Sequence, residues 1–222
     1  MPEEVIKVSN GIARFEGPGR YARATDVDAP LLRALVQAMA PRKVASDPTM
    51  VAFEGLYVPE MGELSPAYAP FMGTLPLITE RGFRLGGFAV PKDLTRADYR
   101  ASFAMMKTLL AAMHRAKVPI VAGTDGFGLE LVRELEIYVE AGLTPADALA
   151  AATIEPARLL KVEGRTGAIA VGKTADVVLV DGDPSKRIGD LRNTRVVMMD
   201  GKLMDADALR KAAGFGGRPK MQ

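Results

Sequence analysis

Hydrophobic positions along the chain alternate between short β-branched runs and longer stretches with helical spacing. Residues 5–11 (VIKVSNG) and 118–125 (VPIVAGTD) are apolar runs that end in small or turn-forming residues, a pattern that predicts strands. Residues 43–53 (KVASDPTMVAF) give another strand candidate, which Pro48 interrupts. The run at 118–125 is almost wholly apolar, which is typical of a parallel strand buried on both faces.

Helical spacing of apolar residues marks the segments between these runs. In residues 26–40, leucines and valine recur every three or four positions, with Asp28 as candidate N-cap and Pro30 in the first turn. Residues 129–142 (LELVRELEIYVEAG) follow the same pattern and end at Gly142, a residue favoured after the last turn of a helix.

Two further helices begin with a capping-box spacing. Thr95 and Asp98 open the stretch 94–116, in which aromatic and aliphatic residues form one continuous face. Thr144 and Asp147 open the next helix, with a proline between them in the first turn. The order of strands and helices up to about residue 160 indicates βα units of a parallel α/β architecture.

Two other regions differ from these βα units in composition and in hydrophobic pattern. Residues 54–91 are rich in Gly, Pro and Met, and a connection this long is uncommon unless it covers a site; at most a short turn of helix is expected there, near TLPLITERGF. From about residue 165, short β-runs bounded by Gly and Asp-Gly predict a small antiparallel sheet. We therefore place a boundary between residues 1–164 and 165–222.

Composition narrows the chemistry. The 222 residues carry a net charge of +2 without a long block of like charge, so neither nucleic acid nor a membrane surface is expected as a partner. The absence of cysteine excludes disulfides and thiolate sites and favours a cytoplasmic location. The one histidine, His114, lies near the end of a predicted helix and is expected to be structural, so this chain cannot form a site of several imidazoles.

Four consecutive blocks carry a family resemblance: VPIVAGTDGFG, AGLTPADALAAATIEPARLL, GRTGAIAVGKTADVVLVDGDP and VVMMDGKLMD. Across residues 118–205 they resemble the C-terminal part of the metal-dependent amidohydrolase superfamily, most closely its imidazolonepropionase- and prolidase-like branch. The resemblance implies the last three βα units of a (β/α)₈ TIM barrel, followed by a segment of a composite β-sandwich.

The resemblance also implies a metal centre and a role for Asp125. Family members bind one or two divalent metals, usually zinc, at the carboxyl ends of the barrel strands. Asp125 matches the eighth-strand Asp, which is both a metal ligand and the residue that transfers protons between the metal-activated water and the leaving nitrogen. Thr124 and Gly126 would line the same rim as substrate-binding residues.

The chain departs from the family pattern in its ligands. On this alignment it holds only the sixth, seventh and eighth strands, so the HxH pair of the first strand and the ligands of the fourth and fifth are not in it. Asn10 stands where the sixth-strand histidine is expected and is either a substrate-binding residue at a former ligand position or a plain turn former. Catalytic zinc needs about three protein ligands, so zinc binding by this chain alone is not expected.

These observations leave three functions open. The first is an amidohydrolase-related hydrolase of non-peptide carbon–nitrogen bonds that acts on a small molecule and is truncated and inactive alone. The second is a non-catalytic remnant that serves as a binding or oligomerisation module, and the third is one half of a split enzyme. Incomplete strands leave an open sheet edge, so self-association or a complementing chain is expected. Glu134 and Glu136 of the 129–142 helix are expected on a charged helical face. Glu130 is expected to be an ordinary i,i+3 and i,i+4 neighbour of Arg133 and Glu134, so all three acidic residues are expected to be structural.

Overall fold

A computed structural model describes residues 13–220 of the chain as a mixed α/β fold. The predicted strand at 5–11, together with Asn10, lies outside the described residues. The helices are α1 Ala13–Tyr21, α2 Pro30–Met39, α3 Met50–Tyr57, α4 Leu77–Gly82, α5 Arg96–Arg115, α6 Leu131–Glu140, α7 Pro145–Ala151, α8 Ile154–Leu159 and α9 Ala206–Ala212; the strands are β1 Val177–Val180, β2 Thr194–Met199 and β3 Lys202–Asp205.

Both predicted capping boxes are present at the starts of α5 and α7. The Thr95 hydroxyl accepts from the Asp98 amide and the Asp98 carboxylate accepts from the Thr95 amide, and Thr144 and Asp147 repeat the arrangement. Each box satisfies two amides that a helix leaves without an internal partner. Helix α6 also ends as predicted, two residues before Gly142, whose φ of 104° lies in the left-handed region.

The strand predicted over residues 43–53 is wrong beyond its first residues. Only Ser46 forms a β-bridge, and α3 begins at Met50. The amides of Met50 and Val51 donate to the carboxylate of Glu134, which is 84 and 83 residues away in sequence. The carboxylate of Glu134 therefore caps the start of this helix, and the local sequence around residues 43–53 contains no signal that predicts this long-range contact.

Helix α2 forms where the apolar spacing predicts it, but its start and its environment differ from expectation. The N-cap is Ala29, without a side-chain hydrogen bond, so the prediction of Asp28 as cap is wrong. Pro30 does occupy the first turn. Of the apolar stripe only Val36 is buried, while Leu31 is 85% and Leu35 58% exposed.

Two extended segments form the part of the fold that carries the candidate site. Ser46 pairs in parallel with Ile120: its amide donates to the Pro119 carbonyl at 2.8 Å and its carbonyl accepts from the Val121 amide at 2.9 Å. On the opposite edge of the 118–122 segment, the Ala122 amide donates to the Ala151 carbonyl at the end of α7 at 2.9 Å, so a helix end covers that edge. Parallel pairing brings the carboxyl ends of both segments to one side of the molecule.

The main core lies where α3, α5 and α6 pack around the 118–122 segment. Tyr57 and Tyr99 meet edge to face with ring centroids 5.1 Å apart, and Tyr138 donates to the Val121 carbonyl at 3.1 Å. Other fully buried members are Leu110, Leu135 and Ile137. The predicted apolar face of the 94–116 helix is confirmed as a core face, since Tyr99, Phe103 and Leu110 are all buried.

The predicted antiparallel sheet is confirmed near the C-terminus. Strands pair in the order β1-β2-β3, with Val178 opposite Val197 and Met198 opposite Leu203. A 3₁₀ segment before β2 ties the sheet to the helices, because Arg192 forms a bidentate ion pair with Glu136 of α6. The boundary at 164/165, and the membership of this sheet in a larger sandwich, stay predictions.

None of the helices within residues 13–220 is long and apolar enough to span a membrane.

Candidate active site

Asp125 stands just beyond the buried 118–122 segment, at the side of the molecule where the two parallel segments end. Its φ of 51° is left-handed, a conformation that Asp and Asn adopt more readily than most residues. The residue is exposed and lines two neighbouring cavities, which Ala52, Thr124 and Asp125 share. Asp125 thus lies on the ridge between two spaces large enough for a small molecule.

The first space, here called the apolar cavity, has a volume of about 310 Å³. It lies between α3, the 65–86 segment and the turn at 124–130. This confirms that the long 54–91 connection contributes walls to a cavity beside Asp125. Its aromatic, acidic and exposed aliphatic lining residues include Tyr68, Phe83, Leu85, Asp125, Phe127 and Glu130.

Glu130 lines the apolar cavity and is only 4% exposed. Its Oε1 accepts from the Tyr68 hydroxyl at 2.6 Å and from the Phe127 amide at 3.4 Å. Its Oε2 is buried and has no hydrogen-bond partner among the described residues. The prediction that Glu130 is an ordinary helix neighbour of Arg133 is wrong, since Arg133 pairs instead with Glu54, Glu136 and Glu140. Burying a carboxylate oxygen without a partner is costly, so this residue warrants a functional explanation.

Burial changes part of the expectation for Glu134, the next acidic residue of α6, but not for Glu136. Glu134 is fully buried and caps α3, whereas Glu136 is half-buried between Arg133 and Arg192. The prediction that they are structural agrees with these contacts, while the prediction of a charged surface is wrong for Glu134. Side chains from α3 and the 188–193 segment cover this face of α6, and those contacts are not visible in the helical spacing.

The second space has a volume of about 360 Å³ and is more polar. Asp47 and Asp125 both line it, together with Arg14 and Thr49. The Asp47 carboxylate lies so close to Gly123 that a Cβ atom there would overlap it. Glycine at position 123 is therefore needed for the Asp47 carboxylate to sit beside the end of the neighbouring segment.

Thr124 and Gly126 are at the rim, as the resemblance implies. The Gly126 amide donates to the Thr124 hydroxyl at 3.3 Å, and both residues line the apolar cavity with Asp125. A Cβ atom at Gly126 would lie 2.5 Å from Oε1 of Glu130. Whether either residue binds substrate stays a prediction, as does the role of Asn10.

The zinc centre implied by the resemblance does not fit the described residues. Within residues 13–220, no group of three or more His, Cys, Asp or Glu side chains is arranged to hold a metal ion. His114 is not near the rim: its Nε2 lies 3.6 Å from the Asp147 carboxylate. That contact agrees with the structural role predicted for His114. With the Thr144 hydroxyl bond as the larger cause, it helps to lower the pKa of Asp147.

Three residues of the site were not identified from the sequence: Asp47, Tyr68 and Glu130. Asp47 had a usable signal, since it directly follows a short run predicted as a strand and precedes proline. Tyr68 and Glu130 lie 62 residues apart, in the 3₁₀ segment Pro66–Phe71 and at the N-cap of α6. Only the fold brings them together.

Comparisons with known proteins show similarity to amidohydrolases over part of the chain. Residues 99–204 match the amidohydrolase family. A 5-methylthioadenosine/S-adenosylhomocysteine deaminase from Symbiobacterium thermophilum is 36% identical over 91 residues, which cover 35% of this chain and 21% of the deaminase.

Solved structures give the same assignment at the level of fold. A Xaa-Pro dipeptidase with methionine bound in its active site superposes with a TM-score of 0.56 at 24% identity, covering 84% of this chain and 39% of the dipeptidase. Ochratoxinase from A. niger superposes with a TM-score of 0.54 at 21% identity, covering 78% of this chain and 34% of the ochratoxinase. The chain spans well under half the length of each of these proteins. The resemblance drawn from the sequence is confirmed over residues 99–204, which match the amidohydrolase family.

Proposed function

We propose that this chain contributes the Asp125 side of an active site that hydrolyses non-peptide carbon–nitrogen bonds in a small molecule. The observation that carries the proposal is the position of Asp125, on the ridge between two cavities and at the end of a buried parallel segment. Its matching position in the amidohydrolase family supports the same role. In the wider proposal, the parallel segments at 43–47 and 118–122 are strands of a partial (β/α)₈ barrel.

Hydrolysis of a carbon–nitrogen bond requires the attacking water to lose a proton and the departing nitrogen to gain one. In this proposal the Asp125 carboxylate takes the first proton and returns it to the nitrogen, which is general base and then general acid catalysis. The described hydrogen bonds leave the carboxylate of Asp125 unengaged within residues 13–220. An exposed carboxylate beside a cavity can reach a bound water and a bound substrate without disturbing the fold.

This mechanism contains no step that uses the metal of the family, because residues 13–220 do not provide a group of three or more side chains that could bind a metal ion. If a divalent metal acts here, its other ligands come from outside residues 13–220, in this chain or in a complementing chain. Adding a partner that supplies them should then be necessary for full activity.

The test is hydrolysis of a panel of small non-peptide amides, with and without added zinc, by the full chain and by Asp125→Asn. Asparagine tolerates the left-handed φ at this position, so the variant removes the proton acceptor while keeping the backbone. We expect at least a hundredfold loss of rate, the order of magnitude for losing a general base. A matched control is Asp200→Asn, because Asp200 is also exposed at φ 49° but lies in the turn between β2 and β3.

Hydrolysis that survives Asp125→Asn would contradict the role of Asp125. Absence of hydrolysis and of zinc uptake that persists when a complementing chain supplies the missing ligands would instead favour the second candidate, a non-catalytic binding or oligomerisation module.

The second candidate is supported by the exposed stripe of α2. Leu31 and Leu35 lie one helical turn apart on this helix with their side chains in solvent. Neighbouring exposed apolar side chains favour contact with another surface. Light scattering on the wild-type chain and on a Leu31→Gln/Leu35→Gln variant tests the idea: self-association that the double substitution abolishes supports it, and a wild-type monomer contradicts it.

A further inference from the structure

We infer that the apolar cavity selects ligands that combine an apolar group with a neutral or positively charged nitrogen, and that Glu130 makes the cavity reject carboxylates. The inference deepens the proposed function and rests on it for the identity of the ligand as a substrate. Ligand selection itself is a binding property and is measured without turnover.

The wall of the cavity is apolar and fixed in orientation. The rings of Tyr68 and Phe83 stack with centroids 3.9 Å apart and an interplanar angle of 4°. Leu85 and Phe127 complete the rim, and they are 78% and 85% exposed. Large apolar side chains that face both a cavity and solvent gain by contact with an apolar ligand, because that contact removes their surface from water.

One side of the cavity is acidic. Glu130 and Asp125 both line the cavity, whereas its lining residues include no Lys, Arg or His among those that the structure describes. Glu130 also has no basic side chain within ion-pair distance in residues 13–220, and its Oε2 has no donor there. A nearly buried carboxylate without a counter-charge favours a positive ligand group and opposes a negative one.

Tyr68 supports Glu130 in this role. Its hydroxyl donates to Oε1, while its ring is held by the stack with Phe83, so the position of the carboxylate is set by the cavity wall itself. Burial, with the bond to Glu130 and the charge of Glu130 acting in the same direction, raises the pKa of Tyr68 well above its usual range. Tyr68 therefore stays a neutral donor and does not offset the acidic character of the cavity.

This distribution of charge defines a ligand class. An aryl or alkyl group can lie against Phe83 and Phe127, where an adjacent ammonium group also interacts favourably with the ring faces. An amide or amine N–H can interact with the exposed carboxylate of Asp125 at the rim, in the field of the nearby buried carboxylate of Glu130. A ligand with a carboxylate in the same place would bring a like charge to Glu130 and Asp125, so we expect the cavity to exclude it.

The experiment compares two probes of nearly equal shape and opposite charge: 2-phenylethylammonium and 3-phenylpropionate. Binding to the full wild-type chain is measured near pH 7.5 at low salt by calorimetry or by ligand-detected NMR. We expect the ammonium probe to bind on the order of tenfold more tightly than the carboxylate probe, and the ratio to fall as salt screens the charges.

Two variants separate the charge from the apolar wall. Glu130→Gln keeps the shape and an acceptor for Tyr68, and should reduce the binding ratio severalfold; Glu163→Gln, at an exposed position outside the cavity, is the control for net charge. Phe127→Ala should weaken both probes and leave their ratio unchanged. Because Phe127 is mostly exposed, that variant is expected to fold even if Glu130→Gln does not.

Each outcome decides the inference. Equal binding of the two probes by the wild-type chain, tighter binding of the carboxylate, or an unchanged ratio in a folded Glu130→Gln variant would overturn it. A clear preference for the ammonium probe in a chain that hydrolyses nothing would leave the cavity's selectivity standing and refute only the proposed hydrolysis.

Discussion

Glu134 makes the stability of this protein depend on pH in a way that can be worked out from the structure. The side chain is fully buried on α6, and its oxygens accept from the Met50 amide at 2.8 Å and the Val51 amide at 2.5 Å. Burial is the largest influence and outweighs these hydrogen bonds, while the charge of Asp47 acts in the same direction as burial. Together they raise the pKa of Glu134 from 4.5 to about 7.

The sign of the effect follows from linkage. Because the pKa is higher in the folded protein than in the unfolded chain, the folded state binds the proton more tightly. The stabilisation is fully present below about pH 4.5 and is lost as the pH rises through about 7. At about 1.36 kcal/mol per pH unit, the shift from 4.5 to about 7 corresponds to about 3 kcal/mol.

The perturbation is Glu134→Gln, which keeps the shape but cannot ionise. The amide group still offers one acceptor to the helix, but its NH₂ faces the other backbone donor, so we expect a constant penalty of about 1–3 kcal/mol at every pH. On top of it, the free energy of unfolding of the variant relative to the wild type should rise by about 3 kcal/mol between acidic pH and about pH 8. Urea unfolding curves at a series of pH values measure both terms.

The decisive quantity is how the difference in the free energy of unfolding between the wild type and Glu134→Gln changes with pH. Other titrating groups affect both proteins equally and cancel in this difference. The control variant Glu163→Gln removes a carboxylate from an exposed position and reports the effect of net charge. A wild-type minus variant difference that stays constant between about pH 4.5 and 8 would refute the reasoning, because it would mean that burial does not govern the ionisation of Glu134.

Two further predictions concern contacts that hold the site in place. Arg133→Met should lower the free energy of unfolding by about 3–5 kcal/mol, because the Nε and Nη2 of Arg133 bind the buried Glu54 at 2.9 and 2.7 Å and the carboxylate would be left without a counter-charge. Arg158→Met, which removes an exposed ion pair, should cost less than about 1 kcal/mol, and equal losses in the two variants would contradict the argument. Thr144→Ala should cost about 1 kcal/mol by removing the cap of α7; a thermal-denaturation midpoint identical to that of the wild type would show that the capping box contributes nothing.

Local sequence signals succeeded where the stabilising contacts are themselves local. The capping boxes at Thr95 and Thr144 join residues three positions apart, and Gly142 ends α6 through its own backbone conformation. The β-runs after residue 165 pair with near neighbours in the chain, as β2 and β3 do across a tight turn. Such contacts need no information from distant residues.

The failures share the opposite cause. Residues 50–53 read as a strand because they are apolar, but Glu134 supplies the helix cap from 84 residues away. Glu130 reads as an ordinary helix neighbour and Glu134 as a surface residue because nothing near them in sequence reveals what covers them. The bond from Tyr68 to Glu130 crosses 62 residues, so its existence follows only from how the 65–86 segment returns to α6.

For this protein, the sequence alone determined helices α2, α5, α6 and α7, the C-terminal sheet, the resemblance to amidohydrolases and the choice of Asp125 as the residue to examine. Tertiary structure alone decided which carboxylates are buried, that two cavities meet at Asp125, and that Oε2 of Glu130 is buried without a hydrogen-bond partner among residues 13–220. The physical reason is that spacing along a chain controls hydrogen bonds within a few residues, whereas the ionisation and ligand preference of a carboxylate depend on the solvent and charges that distant segments bring or exclude.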